Sequence, residues 1–292
     1  MKLDHCSALI TGASAGIGRE FARQLAGRAR SLILVARREQ RLNELRDELT
    51  QHHPNLRIHI RETDLAKLPQ VEEITAWLER EQIDVDLLIN NAGLGDSGAF
   101  ATSDPTRNEQ MTLVNVVALT SLTRRLLPQM IARKRGGILN VSSSAGFLPI
   151  PEFAVYAATK AYVTSYSEAL RAELRGTGVS VCVLCPGPVH TEFQEVANRP
   201  GGQPDSGPEF VHVPVDQVVR DALAALEADR PLVIPGFLMK LGMLFVRLTP
   251  MPILRWAWRV SAKRSNKITT AFDPRESPQA TRLPLHSTRI CI

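Results

Sequence analysis

Cysteine is scarce. Four residues in 292 cannot build the disulfide framework of a small secreted domain. Cys182 and Cys185 stand three apart in an apolar run that reads as a strand. Such positions point to opposite faces, so the pair is poorly placed for a disulfide or a metal. Cytosolic, reduced conditions fit this usage best. Long apolar runs are also missing, for no stretch reaches the roughly 18 residues of a membrane span. The opening Met1-Lys-Leu-Asp-His lacks the charged-then-apolar design of a signal peptide. No internal repeat is present. Acidic residues thin out toward the end: from Pro231 onward there are ten Lys/Arg and two Asp/Glu. That segment is net +8 in a chain of net +5, so the rest is net −3. Basic character confined to a tail argues against a dedicated nucleic-acid-binding fold.

What is present is an ordinary globular composition, 44% hydrophobic and 22% charged, enough for a sizeable core. Short apolar runs alternate with longer amphipathic ones. Strands are expected at Ser7–Thr11, Ser31–Ala36, Arg57–Arg61, Val85–Asn90, Gly137–Ser142, Val179–Cys185 and Leu232–Ile234. Helices are expected at Ile17–Arg28, Glu39–Gln51, Val71–Glu81, Thr106–Arg133, Tyr156–Arg175 and Asp216–Ala228. The alternation predicts an α/β fold, a parallel sheet covered by helices on both faces. Its strands read as apolar runs, as burial on both sides requires. Arg199–Pro214 is rich in Pro and Gly and reads as a loop.

Between the first strand and the first helix lies Thr11-Gly12-Ala-Ser14-Ala-Gly16-Ile17-Gly18. Glycines there let the backbone approach a pyrophosphate, and the helix N-terminus offers free N–H groups and a positive dipole. Dinucleotide binding is the expectation. After the second strand an NAD site would offer Asp or Glu to the ribose hydroxyls; here Ala36 is followed by Arg37 and Arg38. Guanidinium forks suit a 2′-phosphate, which favours NADP(H) over NAD(H). The competing reading is two solvated arginines at a helix start, one of them paired with Glu39.

Tyr156 and Lys160 are four residues apart in a helical pattern, which puts phenol and ammonium on one face. A phenol titrates near pH 10, and a fixed cation beside it is expected to pull that value down. The pair is a candidate proton donor and acceptor for a carbonyl/alcohol centre.

Taken together, these residues resemble the short-chain dehydrogenase/reductase family, of the classical single-domain type. The glycine loop matches its TGxxxGxG, and Asn90-Asn91-Ala92-Gly93 its NNAG element. Asn115 matches the asparagine of its long helix, and Ser143 stands thirteen residues before Tyr156 as the family's serine does. Tyr156 and Lys160 supply YxxxK, and Pro186-Gly187-Pro-Val189-His-Thr191 supplies PGxVxT. The resemblance spans about residues 5–235. It implies a Rossmann-type doubly wound sheet and an enzyme interconverting a ketone or aldehyde and an alcohol with a nicotinamide cofactor. Ser143 would hold the substrate oxygen beside Tyr156, and Lys160 would bind the nicotinamide ribose and lower the Tyr156 pKa. Asn115 is implied to hold a water linking Lys160 to solvent. Asp64 is implied to contact the adenine, with a helix-capping role as the alternative. Asn91, Ala92 and Gly93 would flank the cofactor, Thr191 would hold the carboxamide, and Pro186, Gly187 and Val189 would shape the wall beside the ring. His190 reads as an exposed loop residue, and Tyr162 and Tyr166 as packing or interface residues.

The expected organisation is a catalytic body over 1–235, an amphipathic basic extension over 236–266 and a disordered tail over 267–292. The extension reads as two short helices broken by Pro250 and Pro252, with Trp256 and Trp258 among its aromatics. It has three readings: a cover for the substrate pocket, an oligomer contact, or a helix lying on an anionic membrane. The expected partner is a lipophilic carbonyl or alcohol, in a cytoplasmic homodimer or homotetramer with peripheral membrane contact as an option. Two rival functions are an NADPH-binding sensor or scaffold without turnover, and a lipid-carbonyl reductase anchored by its C-terminal helices.

Overall fold

Strands β1 (Ser7–Thr11), β2 (Ser31–Ala36), β4 (Leu87–Asn90) and β5 (Gly136–Val141) are buried at every position. Such strands need a helical layer on each face, and the computed structural model, which describes residues 1–197 and 212–256, provides both. With β3 (Arg57–Glu62), β6 (Val179–Leu184) and β7 (Leu232–Val233) they form a parallel sheet of order β3-β2-β1-β4-β5-β6-β7.

Side-chain alternation sorts the core into two layers. Ile10 faces the layer holding Phe21, Leu25 and Val219, from α1 (Gly16–Ala26) and α8 (Val215–Glu227). Leu9 faces the layer holding Ile74 and Leu122, from α3 (Leu68–Arg80) and α5 (Leu119–Ala132). The remaining helices of the layers are α2 (Glu39–His52), α4 (Pro105–Thr112) and α6 (Ala154–Glu173). Each fully buried large apolar side chain here contributes about 1.5–3 kcal/mol. Cys182 lies in one layer and Cys185 on the opposite face of the sheet, both as free thiols. Burial pushes each up to about 12.

The strand order reverses between β1 and β4. Crevices at the carboxyl ends of strands flanking such a switch point are where this architecture takes ligands.

The long helix expected over 106–133 is interrupted. Leu113–Ala118 is π-helical between α4 and α5. Inserted π turns re-aim side chains and accompany functional positions; this one carries Asn115.

Residues Met1–Leu248 form one compact unit and Thr249–Ile292 a second. The first unit includes helix α9 (Phe237–Leu248). In the second unit residues 251–256 are helical, so Pro252 lies in the first turn rather than acting as a break. Trp258, most of the 199–214 loop and the tail from 267 lie outside the described residues. Among the described residues no helix is long and apolar enough to cross a membrane.

Candidate active site

A cleft of about 690 Å³ opens along the carboxyl ends of the strands. Arg37, Arg38 and Asp64 line it near β2 and β3; Ser143, Tyr156 and Lys160 line it near β5 and α6.

The glycine loop is built by close backbone approach. Gly12 has φ +67°, and a Cβ there would come within 2.9 Å of the Ala92 backbone. A Cβ on Gly18 would lie 2.3 Å from the Gly12 carbonyl oxygen, so this glycine packs helix against loop and does not itself line the cleft. Thr11 fastens the opposite wall. Its hydroxyl accepts from the Asn91 and Ala92 amides at 2.9 and 3.0 Å, while Asn91 Nδ2 donates to the Thr11 carbonyl at 2.9 Å. Ser14, Gly16, Ile17, Ala92 and Gly93 face the cleft. Helix α1 starts there without a side-chain cap, leaving its first N–H groups available to an anion.

Arg38 has a partner that local sequence did not suggest. Its guanidinium donates to Ser14 Oγ at 3.2 Å and pairs at 2.9 Å with Glu192, not with Glu39. Arg41 binds the same carboxylate. These hydrogen bonds, Arg38's first, hold Glu192 below the usual carboxylate range. Arg37 is exposed on the cleft. Asp64 accepts from the Ala66 amide at 3.1 Å, a turn contact, and also lines the cleft; α3 begins later, with Lys67 at its N-cap.

At the other end, Ser142 and Ser143 have separate tasks. Ser142 Oγ donates to the Lys160 carbonyl at 2.7 Å and is buried, tying β5 to α6. Ser143 Oγ accepts from the Ala145 amide at 3.1 Å and shares a hydrogen bond with the Tyr156 hydroxyl. Lys160 is 4% exposed and donates from Nζ to the Val141 carbonyl at 2.9 Å. Asn115 bonds both backbone groups of Leu94 and donates to Thr159 Oγ1 at 3.0 Å. A Cβ on Gly93 would sit 3.3 Å from Lys160 Nζ and 3.6 Å from Asn115 Oδ1, so both groups flank that glycine. Asn115 itself does not line the cleft. Behind them Asn90 donates to Asn140 at 2.9 Å and Asn140 to Ser167 at 2.9 Å, joining β4, β5 and α6.

The electrostatics differ from expectation. Tyr156 is not lowered by Lys160: burial pushes the phenol up to about 12, with the Ser143 hydrogen bond acting the other way. Part of the ring is exposed to the cleft, while the hydroxyl is enclosed. The ammonium is 5.8 Å from the ring centroid and is committed to Val141. Burial also brings Lys160 down to about 8.

Side chains from late in the chain wall the reacting end. Phe193, on α7 (Glu192–Ala197), packs against Tyr156 with ring centroids 5.5 Å apart. A Cβ on Gly187 would meet Met239 Cε at 2.5 Å, so α9 lies over Pro186–Gly187. Thr191 stands against Gly16, whose Cβ would lie 3.2 Å away. Val189 lines the cleft from a buried position. Exposed His190 stacks on His212, centroids 4.2 Å apart. Tyr162 and Tyr166 stack at 5.7 Å, Tyr162 exposed on α6 and Tyr166 partly buried against the core.

A dinucleotide fits this cradle. The loop has no room for a side chain at Gly12 or Gly18, the helix N-terminus is uncapped, and one cleft joins the guanidiniums to the phenol.

Comparison with known proteins agrees with this geometry. The family profile described as short chain dehydrogenase matches residues 7–200. The NADP-dependent 3-hydroxy acid dehydrogenase YdfG of Escherichia coli K12 is 38% identical over 190 residues, 64% of this chain and 75% of that protein. A short-chain dehydrogenase from Sphingobium yanoikuyae, solved with NADPH, superposes with TM-score 0.73 at 29% identity. The match covers 95% of this chain and all of that one. The bulky-bulky ketone specific alcohol dehydrogenase of Comamonas testosteroni superposes with TM-score 0.69 at 27% identity, covering 94% and 99%. With a Rossmann-type sheet, a dinucleotide cradle and this match, the chain belongs to the short-chain dehydrogenase family and is an oxidoreductase.

Proposed function

We propose that the protein uses NADPH to reduce the carbonyl of a bulky lipophilic ketone or aldehyde. The observation that carries this is the joining, in one cleft, of the Ser143–Tyr156–Lys160 group with an apolar wall of Phe153, Phe193, Met239 and Met243. Bound in the cradle, the nicotinamide supplies hydride. Ser143 holds the substrate oxygen beside the phenol and stabilises charge developing on it. A phenol held up to about 12 keeps its proton at neutral pH, the state needed to protonate the reduced oxygen. Lys160 holds the cofactor ribose, and Asn115 fixes the Leu94 backbone behind it. Arg37 and Arg38 favour the 2′-phosphate and hence NADP(H) over NAD(H).

Among the described residues lining the reacting end there is no arginine to take a substrate carboxylate, which favours a neutral apolar substrate over a hydroxy acid. Tyr162, 39% exposed on α6, is the surface offered for self-association in a cytoplasmic homodimer or homotetramer. An NADPH-oxidation screen tests the substrate reading across bulky ketones, steroids, retinals, 3-oxoacyl thioesters and short oxo acids. Bulky apolar carbonyls should turn over best; activity confined to short oxo acids would overturn it.

A further inference from the structure

Helix α9 has two unlike faces. Met239 and Met243 line the cleft. The opposite side carries Phe237, Leu238, Leu241, Leu244, Phe245 and Leu248, each between 40% and 78% exposed. At helical periodicity these six fall in one arc of about 120°. Lys240 and Arg247, both exposed, run along one border of the arc, with Arg247 also lying 5.5 Å from the Phe147 ring centroid. A contiguous exposed apolar stripe on a folded unit marks a contact surface.

The surrounding sequence says what kind. Between Asp229 and Asp273 there are eight Lys/Arg and no Asp or Glu. On the helix itself Lys240 and Arg247 face no Asp or Glu of α9, so a second copy docking this face on its own counterpart would bring like charge against like. An anionic bilayer supplies the opposite charge together with an apolar layer for the stripe. Twelve residues span about 18 Å, well short of a hydrocarbon core of about 30 Å, so the helix lies along the surface.

We propose that α9 docks its outer face on an anionic lipid surface, the apolar stripe entering the acyl boundary and the cations meeting the headgroups. Its inner face then delivers the mouth of the cleft to the lipid, a route by which a lipophilic carbonyl compound enters. That delivery rests on the reductase reading; the lipid contact does not.

The test is sedimentation of the full chain with phosphatidylglycerol–phosphatidylcholine vesicles and with phosphatidylcholine alone. Binding should be at least about tenfold tighter to the anionic vesicles and should weaken as salt rises. The double variant Leu241→Glu/Phe245→Glu should lose it while still binding NADPH. If that variant fails to bind NADPH, Lys240→Glu replaces it and should weaken anionic binding severalfold. The proposal is overturned if the chain ignores both vesicle types, or if the folded variants bind as well as the parent. It is equally overturned if the double variant only lowers the oligomer mass of a chain that binds no lipid, which assigns the stripe to a second copy. Because sedimentation is read without turnover, active enzyme that ignores lipid sinks only this proposal. Lipid-bound protein inactive on every carbonyl sinks only the reductase reading.

Discussion

The nucleotide end and the reacting end of the cleft are held by different means. At the first, backbone meets backbone: Gly12 against Ala92, Gly18 against Gly12, with Thr11 bonding two amides of the facing loop. Little can change there without moving the main chain. At the second, side chains from distant elements form the wall: Phe193 on Tyr156 and Met239 over Gly187. Such side chains can be exchanged while the sheet stays intact. The contrast explains how one scaffold keeps its cofactor chemistry and varies its substrate.

The largest effect expected is at Lys160, where both ends meet. Lys160→Met should cut carbonyl reduction by about 10²- to 10⁴-fold. It should also remove a pH signature of the cofactor-free protein. The folded-state value of about 8 lies below the ordinary 10.5, so between them the unfolded chain binds more protons and stability rises with pH. Because the raised values of Cys182, Cys185 and Tyr156 cost stability as pH rises past about 9, the Lys160 contribution is read as a difference. In thermal melts up to pH 10.5 the parent should climb relative to the variant. Equal profiles would place the titration elsewhere.

A smaller effect separates the ends. Arg37→Ala/Arg38→Ala should weaken NADPH binding by about 10- to 100-fold, the scale of lost charge-assisted bonds, and leave NADH nearly unchanged. Equal losses for both cofactors in fluorescence titration would mean the arginines only brace Ser14 and Glu192. The smallest effect belongs to the replaceable wall. Met239→Ala should change KM for a bulky ketone by about tenfold and leave a small ketone unaffected. Parallel shifts for both would show that α9 supports the fold instead of shaping the pocket.

Much of the first end was legible because its signals are local. Strand β1, Gly12, Gly16 and Gly18 follow one another directly, and the observed strand Ser7–Thr11 coincides with the apolar run. The spacing of Tyr156 and Lys160 likewise put both on the cleft. What local pattern did not show is partnership across the chain. Glu192 reaches Arg38 over 154 positions, Asn115 finds Leu94 through a π turn that apolar periodicity does not encode, and Thr11, Ser142 and Thr159 resemble ordinary small polar residues. The direction of the Tyr156 shift is not legible in spacing for a related reason: spacing reports a nearby cation, whereas burial depends on everything packed around the hydroxyl.

On the proposed reading Tyr156 delivers a proton inside a cradle that holds NADPH without it. Tyr156→Phe separates the two functions in one experiment, NADPH titration followed by turnover of the best ketone. The expected result is unchanged cofactor affinity with reduction down by about 10²- to 10⁴-fold. Full turnover in that variant would contradict it.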